Sequence, residues 1–144
     1  MKKTFDLGKI DYLGNGQKQN KVTVEVGLEE REYMGKKQLV FSACGNIWNH
    51  RMSDIYSGGQ NLNEIKRYKK NDEIFNKIYK FWKLYHCNDL HAGCEHQRKL
   101  GWEKDGYDKH PSEKCPECGY KFGTEWKYQE IPSEDLEAIK ELSE

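Results

Sequence analysis

The sequence predicts an α+β fold in which a small N-terminal antiparallel sheet packs on helices. Residues 22–26 alternate β-branched apolar with polar side chains, which is the period of a half-buried strand. Residues 74–85 instead repeat apolar side chains every three or four positions, which is typical of an amphipathic helix. The break Ser57-Gly58-Gly59-Gln60 separates the two periods. Because strand and helix patterns occupy different parts of the chain, the α+β class follows.

Four short runs in the first third of the chain are the predicted strands. Residues 4–7 and 10–13 predict two short strands, and residues 22–26 predict a third. The apolar run at residues 39–44 predicts a fourth. The charged stretch at residues 29–37 lies between the last two runs, so we expect them to form a long-looped hairpin.

The predicted helices follow the break. Asn61 or Asn63 is able to cap a short helix over residues 64–70. Asn71-Asp72-Glu73 is a strong start for a longer helix that runs to residue 87. Its predicted core face consists of Ile74, Phe75, Ile78, Tyr79, Phe81, Trp82 and Tyr85.

The last third of the chain predicts further elements in order. Asn88-Asp89 is a second cap, for a helix that reaches residue 100. The polar stretch at residues 101–112 predicts a loop, and residues 125–129 predict a strand. Ile131-Pro132-Ser133 predicts the start of a C-terminal helix over Leu136, Ile139 and Leu142.

Length and composition favour one small domain over residues 1–144. The sheet part spans about 1–56 and the helical part about 61–144. Hydrophobic residues make up 35% of the chain and charged residues 33%, so we expect a small core that a bound metal would help to stabilise. The formal net charge is zero, so attraction to nucleic acid or anionic lipid requires a local basic patch.

The N-terminus and the hydropathy predict a cytoplasmic protein without a membrane partner. Lys2 and Lys3 resemble the start of a signal peptide, but Asp6, Lys9 and Asp11 interrupt the apolar stretch that must follow. No window of the sequence approaches the ~20 apolar residues that a membrane-spanning helix needs.

The motif Cys115-Pro116-Glu117-Cys118-Gly119 predicts a structural zinc site. Two cysteines with two residues between them on a tight turn have the spacing of zinc ligands, and Gly119 permits the chain to reverse. An odd number of cysteines, five, in a cytoplasmic chain favours thiols and metal ligands over disulfides. A redox dithiol is the less favoured interpretation, because no βαβ pattern surrounds the motif.

The second pair of zinc ligands must come from elsewhere, and residues 86–96 are the densest supply of cysteine and histidine. Cys94 is the first choice for the third ligand. For the fourth ligand, His91 lies three residues before Cys94 on one helical face, whereas His96 requires a bend at Gly93. Cys87 and His110 remain as alternates. The expected result is a zinc ribbon or knuckle-like element in the C-terminal half.

Two further groups of residues are candidates for binding or catalysis. The basic cluster consists of Lys66, Arg67, Tyr68, Lys69 and Lys70. Its ring is able to stack on a base while the cations meet phosphates, although a solvated helix face explains it too. Cys44, His50 and Asp54 suggest a thiol nucleophile with a base, but a strand thiol and a surface histidine are the favoured interpretation.

The last 65 residues or so contain runs that resemble small zinc-knuckle proteins of bacteriophages and integrated mobile elements. These runs are Trp82-Lys83-Leu84-Tyr85-His86, Asn88-Asp89-Leu90, Ala92-Gly93-Cys94-Glu95-His96-Gln97-Arg98, Cys115-Pro116-Glu117-Cys118-Gly119-Tyr120 and Phe122-Gly123-Thr124, with Ser42-Ala43-Cys44-Gly45-Asn46-Ile47-Trp48 upstream. The resemblance implies a phage-type context and no catalytic activity. It also favours His96 as the fourth zinc ligand.

The leading expectation is therefore a non-enzymatic interaction protein stabilised by zinc. Its exposed aromatic residues, such as Trp102, Tyr107 and Trp126, would dock a host or phage protein, for instance to inhibit a bacterial defence system such as CRISPR-Cas. The alternatives are a nucleic-acid-binding zinc protein and a metal-dependent nuclease that uses His110.

Overall fold

The computed structural model describes residues 1–33, 35–59, 62–86 and 129–144. Four predictions lie outside these residues: the helix from Asn88, the loop at 101–112, the turn at Cys115 and the strand beginning at residue 125. The structure therefore tests the sheet, the short helix after the break, the long helix and the C-terminal helix.

Four strands form one antiparallel sheet in the order of the chain. They are β1 (Lys2–Ile10), β2 (Asn20–Tyr33), β3 (Lys36–Trp48) and β4 (Ile55–Ser57). Three helices accompany them in the described ranges: α1 (Leu62–Lys66), α2 (Glu73–Tyr85) and α3 (Ser133–Ser143). The predicted α+β class with an N-terminal antiparallel sheet is confirmed. None of the helices in these ranges is long and apolar enough to cross a bilayer.

The core side of the sheet is set by the register of β2 against β3. Val24 pairs with Gly45, and Val26 pairs with Ala43. Successive strand residues point to opposite faces, so alternate residues of β2 all reach the same core. Its buried members on these two strands are Val22, Val24, Val26, Leu28, Phe41, Ala43 and Ile47.

The prediction of a long loop between β2 and β3 is wrong. Tyr33 pairs with Lys36, so the connection is only two residues long, and Gly35 adopts a positive φ of 79° there. The charges that suggested a loop instead belong to paired strands. Lys37 Nζ lies 3.6 Å from Glu30 Oε1 across the hairpin. The charged side chains of Glu30, Glu32, Lys36 and Lys37 are exposed, so they fit paired strands at the end of the hairpin.

The two short strands predicted before residue 13 are one strand with a bulge. Asp6 pairs with Thr23 and Lys9 pairs with Lys21, so β1 contains one extra residue between the pairs. Gly8 takes φ of 85° at this point, and its N–H donates to Asp6 Oδ1. A bulge changes the side-chain alternation. Leu7 and Ile10 are therefore both buried, although they lie three positions apart.

The longest predicted helix is confirmed as α2. Asp72 is its N-cap, and one carboxylate oxygen accepts a hydrogen bond from Phe75 N at 2.9 Å. The buried face consists of Phe75, Ile78, Phe81, Trp82 and Tyr85. Ile74, which was predicted to join this face, is 46% exposed because it lies one helical step to the side of the stripe. The Phe81 ring meets Phe41 of β3 edge-on, which joins the helix to the sheet.

Helix α1 packs closely on β3 at Gly45. A Cβ atom at Gly45 would lie 2.4 Å from Ile65 Cδ1 and 3.3 Å from Leu62 Cδ2. Both of these side chains are fully buried. The absence of a side chain at Gly45 therefore permits the helix to approach the strand. The helix ends at Lys66, which makes it shorter than the predicted 64–70.

The predicted C-terminal helix is confirmed as α3. Ile139 and Leu142 are buried in the core, and Leu136 is half-buried against it. Tyr85 of α2 donates a hydrogen bond to Asp135 Oδ2. The end of the chain thus contacts both the sheet and the long helix.

Candidate functional site

Three tyrosine rings meet at the end of the sheet where β1 finishes. Tyr12 follows β1, Tyr56 belongs to β4, and Tyr68 follows α1. The Tyr12 ring lies 5.8 Å from the Tyr56 ring and 5.9 Å from the Tyr68 ring, measured between centroids. These separations are typical of favourable aromatic pairs. We call these three residues the tyrosine platform.

Glu64 fixes the centre of the tyrosine platform. Its Oε1 accepts a hydrogen bond from the Tyr12 hydroxyl at 2.8 Å, and its Oε2 accepts one from Ser57 Oγ at 2.8 Å. One carboxylate thus ties β1, β4 and α1 together. The hydrogen bond to Glu64, and after it burial, raises the pKa of Tyr12 above its usual value. The phenol therefore stays protonated and anchored at neutral pH.

The outer rings of the platform face solvent. Tyr56 is 44% exposed and Tyr68 is 40% exposed, whereas Tyr12 is half-buried between them. Tyr12 thus serves as a support, and the other two rings present accessible surface. Exposed aromatic rings that pack against a half-buried ring on one side are suited to contact a ligand, because their side chains lose little conformational freedom on binding.

The predicted basic cluster divides into structural and accessible cations. Lys66 Nζ donates to Asn76 Oδ1 and lies 5.2 Å from the centroid of the Tyr79 ring, so it ties α1 to α2. Arg67 and Lys70 are exposed. The nucleic-acid-binding role of the five residues stays a prediction, and the contacts of Lys66 give that residue a structural role as well.

Lys69 occupies an intermediate position beside β1. Its Nζ lies 3.5 Å from the point that a Cβ atom would take at Gly8. Hydrogen bonds from Lys21 and from the Gly8 backbone lower the pKa of Asp6, and the charge of Lys69 makes the smallest contribution to that shift. We call residues 67–70 the basic loop.

An open depression follows the basic loop. It has a cavity volume of about 470 Å³ and is lined by Arg67, Tyr68, Lys69, Lys70, Asn71 and Asp72. The carboxylate of Asp72 caps α2 through Phe75 N, so part of its negative charge is compensated by the helix N-terminus. The depression therefore combines an aromatic ring with three cations.

Charge is distributed unevenly over the described residues. Residues 62–86 contain seven lysines or arginines and three acidic residues, whereas residues 129–144 contain one lysine and six acidic residues. The overall neutrality of the chain thus hides a basic helical region and an acidic C-terminal helix. The local patch that nucleic-acid binding requires is present at the basic loop.

The thiol that was considered as a nucleophile lies away from its suggested base. Cys44 is half-buried in β3 and pairs with Glu25, whereas His50 is exposed beyond the end of that strand. At about 3.3 Å per strand residue, Trp48 is already about 13 Å from Cys44. Asp54 Oδ1 accepts from Ile55 N. These positions support the interpretation of a strand thiol and a surface histidine.

The predicted zinc ligands Cys94, His96, Cys115 and Cys118, and the alternates His91, Cys87 and His110, lie outside the described residues. Within the described ranges, no three His, Cys, Asp or Glu side chains are grouped to hold a metal ion. The zinc site thus stays a prediction.

His86 is the first residue of the 86–96 segment and the one residue of that segment that the structure describes. It is buried, and its Nδ1 lies 2.7 Å from the Trp82 carbonyl oxygen. Because a carbonyl only accepts, Nδ1 carries the proton. The imidazole also stacks on the Trp82 ring at 4.6 Å. Both contacts attach His86 to the last turn of α2.

Sequence reasoning identified Tyr68 and missed Tyr12 and Tyr56. They lie 44 positions apart, Tyr12 after β1 and Tyr56 in β4 at the opposite edge of the sheet, so no local sequence pattern predicts their contact. No family model matches the chain, and no curated protein or solved structure is significantly similar to it. A function must therefore be inferred from the geometry of the described residues.

Proposed function

We propose that the protein is a non-enzymatic binding protein, and that nucleic acid is the ligand of the tyrosine platform and the basic loop. The observation that carries this proposal is the exposed Tyr68 ring between exposed or half-buried cations, with a second exposed ring on the same platform. Cations neutralise phosphates and release their counterions, while aromatic rings contact bases.

The residue types fit this ligand in different ways. Arg67 has a planar guanidinium that binds phosphate oxygens in pairs, whereas Lys70 acts as a mobile point charge. Lys69 lies between them in the chain and lines the same depression. Three such contacts predict a slope of about −2 for log affinity against log salt with a single strand. Binding of this kind is moderate in strength and strongly weakened by salt.

We propose that Cys94, His96, Cys115 and Cys118 bind one structural zinc ion in a ribbon or knuckle-like element. The support is the Cys-Pro-x-Cys-Gly spacing and the supply of further ligands directly after α2. In this proposal zinc stabilises the small fold and takes no part in catalysis.

The test of nucleic-acid binding is a fluorescence anisotropy titration of a labelled oligonucleotide at several salt concentrations. The test variant is Arg67→Ala/Lys70→Ala, and the matched control is Lys36→Ala/Lys37→Ala, which removes equal charge at the distant β2–β3 hairpin. We expect weaker binding and a shallower salt slope for the test variant alone. Absence of binding by the unmodified protein at low salt, or equal effects of both variants, would overturn the proposal.

A second candidate function is docking to a basic host or phage protein. The observation that favours it is the acidic face of α3, where Glu134, Glu137 and Glu141 are exposed at helical spacing. Such a face suits a partner that itself binds nucleic acid, including an effector of a defence system such as CRISPR-Cas. Affinity capture from nuclease-treated bacterial lysate tests it, with Glu134→Gln/Glu137→Gln/Glu141→Gln as the control bait. Recovery of the same proteins by both baits would exclude this face.

A further inference from the structure

We infer that the tyrosine platform is a stacking site for unpaired bases, so that the ligand is a single-stranded polynucleotide. This inference rests on the proposed function and specifies its ligand. Its starting point is the meeting of Tyr12, Tyr56 and Tyr68 from three different elements of the fold.

The platform is built so that two rings are available at once. Tyr56 and Tyr68 each pack against Tyr12, and each keeps at least 40% of its surface exposed. A purely structural role in the core would cover all three rings. Instead only the central ring is half-buried, and the hydroxyl of that ring is held by Glu64. The outer rings thus have a rigid support and an open side.

Stacking distinguishes single strands from duplexes. In a duplex each base face is covered by the neighbouring base pairs, so only the cations of the basic loop would make contacts, namely with the phosphates. An unpaired base offers its free face to an aromatic ring, and any of the bases is suitable because each has a π surface. We therefore expect the platform to bind single-stranded DNA or RNA with little sequence preference.

The cations are placed to hold the backbone of the same strand. Tyr68 lines the depression together with Arg67, Lys69 and Lys70, so a base on this ring brings its phosphates to the basic loop. Asp72 also lines the depression, but its carboxylate is directed to the N-terminus of α2 and accepts from Phe75 N. Its charge is thereby partly compensated at the point where phosphates would pass.

Tyr12 is a positioning residue in this site. It is half-buried against the hydrophobic core, and both exposed rings pack against it. Glu64 holds it through a hydrogen bond of 2.8 Å and also holds Ser57, the neighbour of Tyr56 in β4. The same carboxylate thus orients both sides of the platform.

The experiment compares a fluorescein-labelled single-stranded oligonucleotide with a duplex of the same length by anisotropy, in DNA and RNA versions. The variants are Tyr56→Ala, Tyr68→Ala and the double substitution, with Tyr56→Phe/Tyr68→Phe as the matched control that keeps both rings. We expect tighter binding of the single strand, a loss of about tenfold for each Ala substitution, and near-normal binding by the Phe variant. The DNA and RNA versions show whether the 2′-hydroxyl adds to recognition.

Three outcomes separate the inference from the proposal on which it rests. Equal affinity for duplex and single strand, or single-strand binding that the Ala variants leave unchanged, overturns the inference while the proposed function stands. No salt-dependent binding of any oligonucleotide overturns both. Thermal unfolding of each variant confirms that it is folded, and we expect it to be, because both substituted rings are substantially exposed.

Discussion

The Tyr12 hydroxyl donates a hydrogen bond to Glu64 Oε1 at 2.8 Å, although the two residues lie 52 positions apart. This contact joins the end of β1 to α1 beside the tyrosine platform. The contact favours the protonated phenol, because only the protonated hydroxyl is able to donate a hydrogen bond to Glu64. The negative charge of Glu64 also disfavours a phenolate beside it. The stability of the fold and the order of the platform are therefore linked through one hydrogen bond.

The first prediction concerns the pH dependence of that link. The pKa of Tyr12 is raised in the folded state relative to the unfolded value of about 10. The hydrogen bond to Glu64 therefore contributes its full stability below about pH 10, and this contribution is lost as the pH rises through the folded pKa. Urea unfolding of the unmodified protein and of Tyr12→Phe at several pH values measures this. We expect their difference in unfolding free energy to be about 1 kcal/mol at pH 8 and to shrink above pH 10. A difference that grows with pH would contradict the assigned hydrogen bond.

The second prediction concerns the contact between α1 and β3. Gly45→Val places a side chain where Ile65 Cδ1 would be only 2.4 Å from the new Cβ atom, in a fully buried region. We expect destabilisation by about 1–3 kcal/mol, with Gly45→Ala between this variant and the unmodified protein. Thr4→Val, on an exposed position of β1, is the control and should change stability by less than about 0.5 kcal/mol. Differential scanning calorimetry makes the comparison.

The elements with local sequence signals were predicted well. α2 has a capping residue, Asp72, at its start and a buried aromatic stripe along its length, and both signals act within a few residues of each other. β2 shows alternation because Val22, Val24 and Val26 enter the core whereas Glu25 is exposed. The hairpin was predicted with too long a loop, because charged residues were taken as a sign of a loop. Glu30 of β2 and Lys37 of β3 instead form an ion pair between the two strands.

The candidate site depends on relationships that no local pattern contains. Tyr12 follows β1, Tyr56 lies in β4 at the opposite edge of the sheet, and Tyr68 follows α1, so their meeting is a property of the tertiary fold. Register and bulges are properties of strand pairs, so a single stretch of sequence does not reveal them. Sequence did locate the basic loop, but Lys66 has a structural role that only its contacts with Asn76 and Tyr79 make visible.

The third prediction concerns the hydrogen bond from Tyr85 to Asp135, which joins α2 to α3. Burial, and after it this hydrogen bond, raises the pKa of Tyr85. Tyr85→Phe and Asp135→Asn should each destabilise the protein, because a hydrogen bond to a charged group is worth about 1.5–3 kcal/mol. The double variant should lose less than the sum of the two. Additive losses in this double-mutant cycle, measured by denaturant unfolding, would show that the bond contributes nothing.

The fourth prediction concerns the proposed zinc ion. Protein purified without chelators should contain about one equivalent of zinc by elemental analysis, and Cys115→Ser should reduce the zinc content and the melting temperature together. Cys44→Ser is the matched control, since Cys44 lies in β3 and is not a proposed ligand. It should keep the metal. Protein without bound transition metal would overturn the zinc proposal, and a normal melting temperature for Cys115→Ser would exclude a stabilising role.

The fifth prediction separates the two roles of Asp72, which caps α2 and also lines the depression beside the basic loop. Asp72→Asn keeps a side-chain oxygen that accepts from Phe75 N, so stability should change by less than about 0.5 kcal/mol. Asp72→Ala removes the cap and should cost about 1 kcal/mol. Both variants remove one negative charge near the proposed path of the phosphates, so both should bind a single-stranded oligonucleotide more tightly at low salt.

The paired measurements make the Asp72 variants informative about the site. Thermal unfolding measures how much the helix cap at residue 72 stabilises the fold. Anisotropy titration measures how much the negative charge at residue 72 weakens oligonucleotide binding. If oligonucleotide affinity follows stability instead of charge, Asp72→Ala should bind more weakly than Asp72→Asn. Equal gains in affinity despite unequal stabilities would place the phosphates close to residue 72, because only the shared loss of negative charge explains such a result.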